Sequence, residues 1–403
     1  MTESCTFSRI VAVSTSHYSG PEKALVPLLP SATHVYSEPA GVRHVKIIGA
    51  GSIGTHHAHA SRRLGWHVTV VDVDLAALER MRTQLFPSRY GSWDDGIRLV
   101  PSASAPRGGF DLIIVGTPPD SHVPLSLSAL DENPAAILIE KPLSPPLDAR
   151  LGQLEEKAKS VRTRLFVGYD HAVGQAAEMV ERELTNGAVG AVLTIDVEFR
   201  EHWAGIFAAH PWLSGPADSY LGFAERGGGA SGEHSHAINL WQHFARVSGA
   251  GSVVEVRAAL DYVTDGSARY DRLCFLTLRT QTGLLGRVVQ DVVTQPPRKW
   301  ARVQGTTGAI EWHVGYQPGA DAVIVRRTGE PEELRVIAKT RPDDFIRELQ
   351  HIDRCCVEQR QSPLDLARGL DTMRVIAAAH ESDRSGRAVQ VSCGAPVSSQ
   401  AAS

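Results

Sequence analysis

The segment Gly49-Ala50-Gly51-Ser52-Ile53-Gly54 constrains the fold more than any other stretch of this chain. It places three glycines in GxGxxG spacing between the apolar run VKII and the helical stretch HHAHASRRLG. A second apolar run, HVTVVD, ends at Asp72, 18 residues after Gly54. Continuous apolar runs that alternate with helices predict a parallel sheet covered on both faces.

The spacing gives each residue of this turn a physical task. Gly49 permits the tight turn, Gly51 lets the backbone approach a pyrophosphate, and Gly54 lets helix and strand pack closely. Ser52 and Ile53 open the helix, whose free N–H groups and positive dipole end attract phosphate. We therefore expect these residues to bind a dinucleotide, although a purely structural turn is the alternative.

The carboxylate of Asp72 is expected to select the cofactor. At the end of the second strand it can bind a ribose 2′-hydroxyl, and it would repel a 2′-phosphate. The sequence therefore predicts NAD, with NADP less favoured. Four nearby histidines are expected at the surface or at the cofactor edge rather than as metal ligands: His56, His57, His59 and His67.

Two further apolar runs end in loops that carry polar residues. Open parallel sheets bind ligands at the carboxyl ends of their strands. The run in FDLIIVGTPPDSH therefore makes Thr117, Pro118 and His122 candidate cofactor residues, and AAILIEKPL does the same for Glu140 and Lys141. The Lys141 ammonium could stabilise alkoxide charge on a substrate, whereas an ordinary surface lysine is the alternative.

The pattern changes after about residue 165. Leu193, Ile195, Val197 and Phe199 alternate with polar residues, which predicts a strand with one wet face. Similar runs at 253–263, 270–280, 283–293, 300–304 and 321–327, joined by Gly-, Asp- and Pro-rich turns, predict a largely antiparallel sheet. We predict a helix at 343–358 with Phe345, Leu349, Ile352 and Cys356 on its apolar stripe.

These patterns divide the chain into four expected regions. We expect an N-terminal extension at 1–43, a dinucleotide-binding domain at 44–164, an α+β domain at 165–391 and a disordered tail at 392–403. The net charge of −4 without a Lys/Arg block argues against nucleic-acid binding. No apolar run approaches the roughly 20 residues of a membrane helix, and no signal peptide is recognised. Five cysteines, an odd number, favour reduced thiols in the cytoplasm.

The segment RGGGASGEHSHAINLWQHF at 226–244 concentrates polar chemistry. If it is helical from about Gly232, then Glu233, His236 and His243 share one stripe. His234 lies about 200° around the helix from His236, so the two cannot chelate one ion. No metal is expected. The alternative is a buried polar helix start, which we prefer for His234 and His243.

The ordered set of motifs resembles the glucose–fructose oxidoreductase/inositol dehydrogenase (Gfo/Idh/MocA-like) family. The resemblance covers about residues 43 to 391. It rests on GAGSIG, Asp72, VGTPPDSH, EKP at 140–142, VGYDH at 167–171, GGGASGEHSHAINL, VQGTTGAIEW and SDRSGRAV. It implies an N-terminal Rossmann domain, a C-terminal domain whose open sheet often forms the oligomer interface as a homodimer or homotetramer, and a nicotinamide between the domains.

The resemblance also implies roles for individual residues. Lys141 takes the place of the lysine at the family's reaction centre, and the family's acid–histidine pair maps onto Glu233 and His236. Two departures stand out: Glu233 replaces the usual Asp, and the usual GYN-x-R-F reads GYDHAV, without the Arg. Glu233 is expected to orient the His236 imidazole or to bind a second hydroxyl. Further substrate candidates are Tyr169, His171, Trp212 and Tyr220.

These residues lead to one main functional expectation. We expect an NAD-dependent dehydrogenase or reductase that acts on a sugar or cyclitol, whether free, phosphorylated or nucleotide-linked. His236 would be the acid/base, because a neutral imidazole can accept a hydroxyl proton. One alternative is reduction of a C=N or conjugated C=C bond on the same scaffold. The other is an NAD-sensing regulatory protein without catalysis.

Overall fold

A computed structural model of the chain describes residues 43–208, 210 and 212–391. The expected N-terminal extension, apart from Arg43, and the expected tail, 392–403, lie outside the described residues. The described chain contains two β-sheets, one parallel and one mostly antiparallel. The predicted α/β architecture of a Rossmann domain followed by an α+β domain is confirmed. No described helix is long and apolar enough to cross a membrane.

The first sheet has six parallel strands in the order β3-β2-β1-β4-β5-β6, the doubly wound Rossmann order. Its central strands are buried on both faces, which explains their continuous apolar sequences. The last strand runs past the expected boundary at 164. The strands are β1 His44–Ile48, β2 His67–Asp72, β3 Ile97–Pro101, β4 Leu112–Val115, β5 Ala136–Ile139 and β6 Arg164–Val167.

Helices cover both faces of this sheet. The first begins inside the glycine turn, as predicted. The helices are α1 Ser52–Arg63, α2 Leu75–Arg80, α3 Phe86–Tyr90, α4 His122–Leu130 and α5 Leu151–Lys159, with a π-helical turn at Met81–Leu85 between α2 and α3.

The second sheet has nine strands in the order β14-β13-β12-β11-β7-β10-β9-β8-β15. Among the described strand pairs of this second sheet, only β10 and β7 run parallel. The strands are β7 Val192–Arg200, β8 Val253–Asp265, β9 Ala268–Thr280, β10 Leu285–Asp291, β11 Arg298–Gly305, β12 Gly308–Gln317, β13 Ala320–Arg327, β14 Glu333–Ala338 and β15 Val389–Gln390. Every run expected to form a strand in this region overlaps one of them.

Helices of the second domain pack on one face of the large sheet and against the first domain. They are α6 Gln175–Thr185, α7 Trp203–Ala208, α8 Gly229–Glu233, α9 His236–Val247, α10 Arg341–Glu358 and α11 Leu366–Ser385. The predicted late helix is α10, and its start is fixed by a capping box between Thr340 and Asp343. Its stripe is buried at Phe345, Leu349 and Ile352, but Cys355 takes the place expected for Cys356.

Helix α10 joins the second domain to the first. The Phe345 ring stacks on His56 of α1, with ring centroids 4.9 Å apart, and meets His57 edge-on. Asp353 of α10 pairs with Arg43, just before β1. The two histidines are therefore buried, and the expectation that they lie at the surface or the cofactor edge is wrong.

Candidate active site

The glycine turn has the geometry that a dinucleotide requires. A Cβ atom at Gly49 would lie 2.6 Å from the Gly116 carbonyl oxygen, and one at Gly54 would lie 1.9 Å from the Gly49 carbonyl oxygen. Gly49 also has a φ of +113°, which other residues rarely adopt. A Cβ at Gly51 would meet nothing within 4 Å, so open space lies beside the backbone. Helix α1 has no side-chain cap there, which leaves its first N–H groups for a phosphate.

Asp72 lies directly beside this turn. One carboxylate oxygen accepts the Ala50 N–H at 2.7 Å and the other accepts the Asp74 N–H at 2.8 Å. The carboxylate is therefore fixed at the end of β2 and remains partly exposed. This position suits a ribose diol and opposes a 2′-phosphate.

His122 is enclosed between the loops that follow β4 and β5. It is fully buried, with Nε2 2.7 Å from the Thr117 carbonyl oxygen and Nδ1 2.9 Å from the Pro142 carbonyl oxygen. Burial lowers the pKa of this imidazole. Its ring joins the loop after β4 to the loop after β5, and no exposed surface remains for a cofactor. Thr117 and Pro118 stay on the partly exposed side of that loop.

Glu140 has a partner within the protein. Its Oε1 lies 2.5 Å from His57 Nε2, and both side chains are buried. Glu348 of α10 is buried beside them, and neither of its carboxyl oxygens has a hydrogen-bond partner among the described residues. Burial raises the pKa of Glu348 well above its usual range, and the charge of Glu140 raises it further. The contact with His57 therefore anchors Glu140 at the end of β5, and its expected contact with the cofactor stays a prediction.

Lys141 and Glu233 meet across the domain boundary. The Lys141 ammonium donates to the Glu233 backbone carbonyl at 2.8 Å and lies 3.3 Å from its carboxylate. Both side chains are mostly but not fully buried, with 13% and 20% of their surface exposed. The EKP loop and the glycine run are thus held together at the carboxyl end of the parallel sheet.

The glycine run is not one continuous helix. Helix α8 ends at Glu233 and α9 begins at His236, so the predicted single stripe through 233, 236, 240 and 243 is wrong. His234 lies in the break and is buried, and its carbonyl accepts from the Gln290 side chain. His243 is buried and lies 3.4 Å from Glu181. At the end of α8 the Glu233 carboxylate pairs with Lys141.

His236 lies among polar side chains from the loop after β6. Its ring centroid is 4.4 Å from that of His171 and 5.6 Å from that of Tyr169, and its Nδ1 is 3.7 Å from Asp170 Oδ1. Burial lowers the pKa of His236 well below its usual range, and the neighbouring His171 lowers it further. The imidazole is therefore neutral at physiological pH, as a general base must be.

The remaining substrate candidates do not all converge on His236. Tyr169 is fully buried behind it, whereas His171 is partly exposed. Burial raises the pKa of Tyr220, as does the charge of Glu233, so this phenol lies near the Lys141–Glu233 pair.

Trp212 instead packs against His210 and lies 5.4 Å from the Arg80 guanidinium on α2. The structure thus places Trp212 at the first domain, apart from the other candidates.

Three acidic residues at the site were not among the candidates from the sequence: Asp170, Asp271 and Glu348. Asp170 occupies the Asn position of GYN-x-R-F, and that departure from the pattern was the available signal. Asp271 and Glu348 lie in a strand and a helix of ordinary composition, and only the tertiary fold brings them to the site.

Two groups of three described residues have the donor atoms for a metal ion: Asp170 with His171 and His236, and His57 with Glu140 and Glu348. Each contains a hydrogen bond where the ion would lie, of 2.7 Å in the first group and 2.5 Å in the second. Ligands about 2.1 Å from a tetrahedral ion are about 3.4 Å apart. Both groups therefore fit their hydrogen-bonded form better than a metal-bound form.

Asp271, on β9, anchors the glycine run through hydrogen bonds from Ser231. Its carboxylate accepts the Ser231 N–H at 2.7 Å and the Ser231 hydroxyl at 3.2 Å. A Cβ at Gly229 would lie 2.0 Å from Asp271 Oδ1, so only glycine allows this approach. Burial raises the pKa of Asp271 from 3.8 to about 7.

We expect an Asp271→Asn substitution to change how stability depends on pH. Because the folded-state pKa is raised, the contribution of Asp271 is complete below about pH 4 and is lost as the pH rises through about 7. The wild-type melting temperature should therefore fall relative to that of the variant between pH 5 and pH 8. Thermal unfolding of both proteins across that range measures this, and parallel curves would contradict it.

Comparisons with known proteins agree with this architecture. Residues 43–169 match a family model described as an oxidoreductase family with an NAD-binding Rossmann fold, Gfo/Idh/MocA, and residues 176–311 match the Gfo/Idh/MocA C-terminal domain. The first domain is thus an NAD-binding domain. A search of curated proteins finds no match.

Solved structures share the fold at low sequence identity. A levoglucosan dehydrogenase in complex with NADH and levoglucosan has a TM-score of 0.71 at 15% identity, over 87% of this chain and 100% of that chain. The WlbA dehydrogenase from Bordetella pertussis, in complex with NADH and UDP-GlcNAcA, has a TM-score of 0.67 at 18% identity, over 87% and 99%. A putative myo-inositol dehydrogenase from Sinorhizobium meliloti 1021 has a TM-score of 0.66 at 20% identity, over 87% and 100%.

Proposed function

Because this chain belongs to the Gfo/Idh/MocA family of NAD-binding oxidoreductases, we propose that it interconverts a sugar or cyclitol hydroxyl and the corresponding ketone. The observation that carries the proposal is the Lys141 ammonium held at the Glu233 carbonyl, together with the buried, neutral His236 imidazole, whose pKa the charge of Lys141 helps to lower. Neighbours in fold are described as levoglucosan and putative myo-inositol dehydrogenases, which supports a polyol substrate.

The side chains divide the chemistry between them. When bound, NAD supplies the hydride acceptor. The neutral imidazole of His236 accepts the hydroxyl proton through Nε2, since Nδ1 faces Asp170. The Lys141 ammonium donates a hydrogen bond to the same oxygen and stabilises its developing negative charge. In the reverse direction His236 returns the proton to the ketone oxygen.

The Lys141–Glu233 contact supports this role for the lysine. The Glu233 carbonyl and carboxylate hold the ammonium in place. An aspartate at this position would be one methylene shorter and would reach less far toward Nζ. The partly exposed His171 and the nearby Tyr220 are the side chains that we propose for recognition of further hydroxyl groups.

A substrate panel tests the proposal directly. The purified protein is incubated with NAD or NADP and free, phosphorylated and nucleotide-linked polyols, and with reduced cofactor and the matching ketones, while nicotinamide absorbance is followed. We expect turnover of a polyol, with NAD preferred because of Asp72. Turnover only with imines or conjugated alkenes would favour the C=N or C=C alternative. Cofactor binding without any redox change would favour a non-catalytic sensor.

The open face of the large sheet supports self-association as a further part of the proposal. Phe275 and Leu285 are exposed there, at 40% and 41%. Arg287, on the same strand as Leu285, forms an ion pair with the Asp196 carboxylate of β7. Apolar side chains framed by ion pairs are typical of a protein interface. We expect a dimer or tetramer by light scattering and a smaller species for Phe275→Asp. A wild-type monomer would contradict this expectation.

The cellular location belongs to the same proposal. We place the protein in the cytoplasm because the described cysteines Cys274, Cys355 and Cys356 are free thiols, which are typical of a reducing compartment.

A further inference from the structure

The break between α8 and α9 leaves His236 without its expected carboxylate partner. Glu233 ends α8 and pairs with Lys141. His236 begins α9, and its Nδ1 is buried without a hydrogen-bond partner among the described residues. A buried imidazole N–H without a hydrogen-bond partner destabilises the folded protein. We therefore expect His236 Nδ1 to find a neighbouring acceptor when substrate binds.

Asp170 is placed to be that acceptor. Its Oδ1 lies 3.7 Å from His236 Nδ1 and accepts a hydrogen bond from His171 Nδ1 at 2.7 Å. A closure of less than 1 Å would bring the first contact within hydrogen-bond range. Such tightening on ligand binding is common at catalytic hydrogen bonds.

The surroundings keep Asp170 ionised. Burial opposes the charge, but the hydrogen bond from the neighbouring His171 and the positive charge of Lys339 help to outweigh it. The pKa of Asp170 is therefore well below its usual range. The Lys339 ammonium forms ion pairs with Asp344 at 2.9 Å and Asp321 at 3.2 Å. These contacts fix the position of the cation whose charge favours the ionised form of Asp170.

We infer that Asp170 is the positioning residue for His236 in the proposed reaction. Its carboxylate accepts the Nδ1–H of His236, which fixes the tautomer with a bare Nε2. When the substrate O–H bond breaks and the Nε2–H bond forms, the negative charge of Asp170 stabilises the imidazolium. Asp170 itself stays ionised throughout.

This inference connects the two departures from the family pattern. At position 233 this chain has Glu in place of the usual Asp, and the longer side chain forms an ion pair with Lys141. The usual amide at 170 is a carboxylate and faces the imidazole. Together the two changes keep one carboxylate beside the histidine but supply it from the loop after β6 instead of the glycine run.

The test is the isosteric substitution Asp170→Asn in the full-length enzyme, assayed on the polyol found by the panel. We expect kcat to fall by about 10²–10⁴-fold, because removing a carboxylate behind a catalytic histidine has effects of that size. KM should change only a few-fold. Asp170→Glu should retain more activity than Asp170→Asn. Asp94→Asn, which removes a carboxylate that pairs with Arg62 at 2.9 Å, should leave kcat unchanged.

Two further readouts separate positioning from a structural role. Asp170 raises the pKa of His236, whereas burial, His171, Lys141 and Lys299 lower it. The acid limb of kcat/KM should therefore move to lower pH in Asp170→Asn. Nitrogen NMR of labelled histidines, which needs no substrate, should show that the His236 Nδ1–H tautomer dominates in the wild type and not in the variant.

The outcomes distinguish this inference from the proposed function on which it rests. Turnover, pH profile and tautomer unchanged in Asp170→Asn would overturn the role of Asp170 but leave His236 as the base. If His236→Ala kept wild-type turnover, the proposed function itself would fail. If Asp170→Asn did not fold, two other measurements would decide. One is the activity of Asp170→Glu compared with wild type, and the other is the tautomer of His236 in the wild type. A wild-type Nε2–H tautomer would overturn the inference.

Discussion

Replacing His236 with alanine is expected to lower kcat by about 10²–10⁴-fold, the usual contribution of general acid–base catalysis. The reason is that His171 is committed to Asp170 through Nδ1 and His234 is buried in the break between α8 and α9, which leaves His236 as the base. Steady-state kinetics with the identified polyol measure this effect. NAD binding should be unchanged, because the glycine turn lies in the other domain.

A matched control comes from the same helix. His243 is buried near Glu181, away from the site, and His243→Gln should keep kcat while changing the melting temperature. The low pKa of His236 also predicts wild-type kcat/KM that stays level as the pH falls from 8 to 6. Near-normal turnover in His236→Ala would remove the histidine from the mechanism.

Replacing Lys141 with methionine is expected to lower kcat by about 10²–10³-fold, which is typical of losing one donor to a developing oxyanion. Methionine keeps the length of the side chain but removes the charge. Lys141→Arg keeps the charge in a bulkier group and should be impaired less. Parallel kcat and KM measurements on both variants test this, and a rise in KM with unchanged kcat would assign Lys141 to substrate binding alone.

A double-mutant cycle separates the two partners of this contact. If Glu233 acts by holding the Lys141 ammonium, Glu233→Gln should lower kcat in the wild-type background and have little further effect in Lys141→Met. Additive losses would instead give Glu233 an independent role, such as contact with a second hydroxyl group.

Much of the fold was predictable because local patterns and long-range packing agree. The glycine turn, the continuous apolar strands and the first helix come from steric and hydrogen-bonding rules that act over a few residues. The same holds for α10, whose start is fixed by Thr340 and Asp343. Lys141 and Glu233 could be proposed as site residues because each lies in a distinctive local motif, and the structure brings the two into contact.

The rest of the site depends on contacts that no local pattern contains. A helical period cannot show that the chain breaks at His234, because the break depends on how Asp271 and Gln290 hold the glycine run. His56 and His57 were expected at the surface or the cofactor edge, yet Phe345 of α10, which lies about 290 residues later in the sequence, packs on both of them. Asp170 was visible only as an unusual residue in a motif, without a stated partner.

The packing of Phe345 on His56 and His57 has a consequence for the evolution of this chain. Helix α1, which follows the glycine turn, carries two imidazoles that pack against the Phe345 ring of the second domain. A recombination that exchanged the cofactor-binding half for that of a distant relative would have to carry the matching face of α10 with it. We therefore expect the two halves to remain stable only when they are exchanged together, although each has its own sheet.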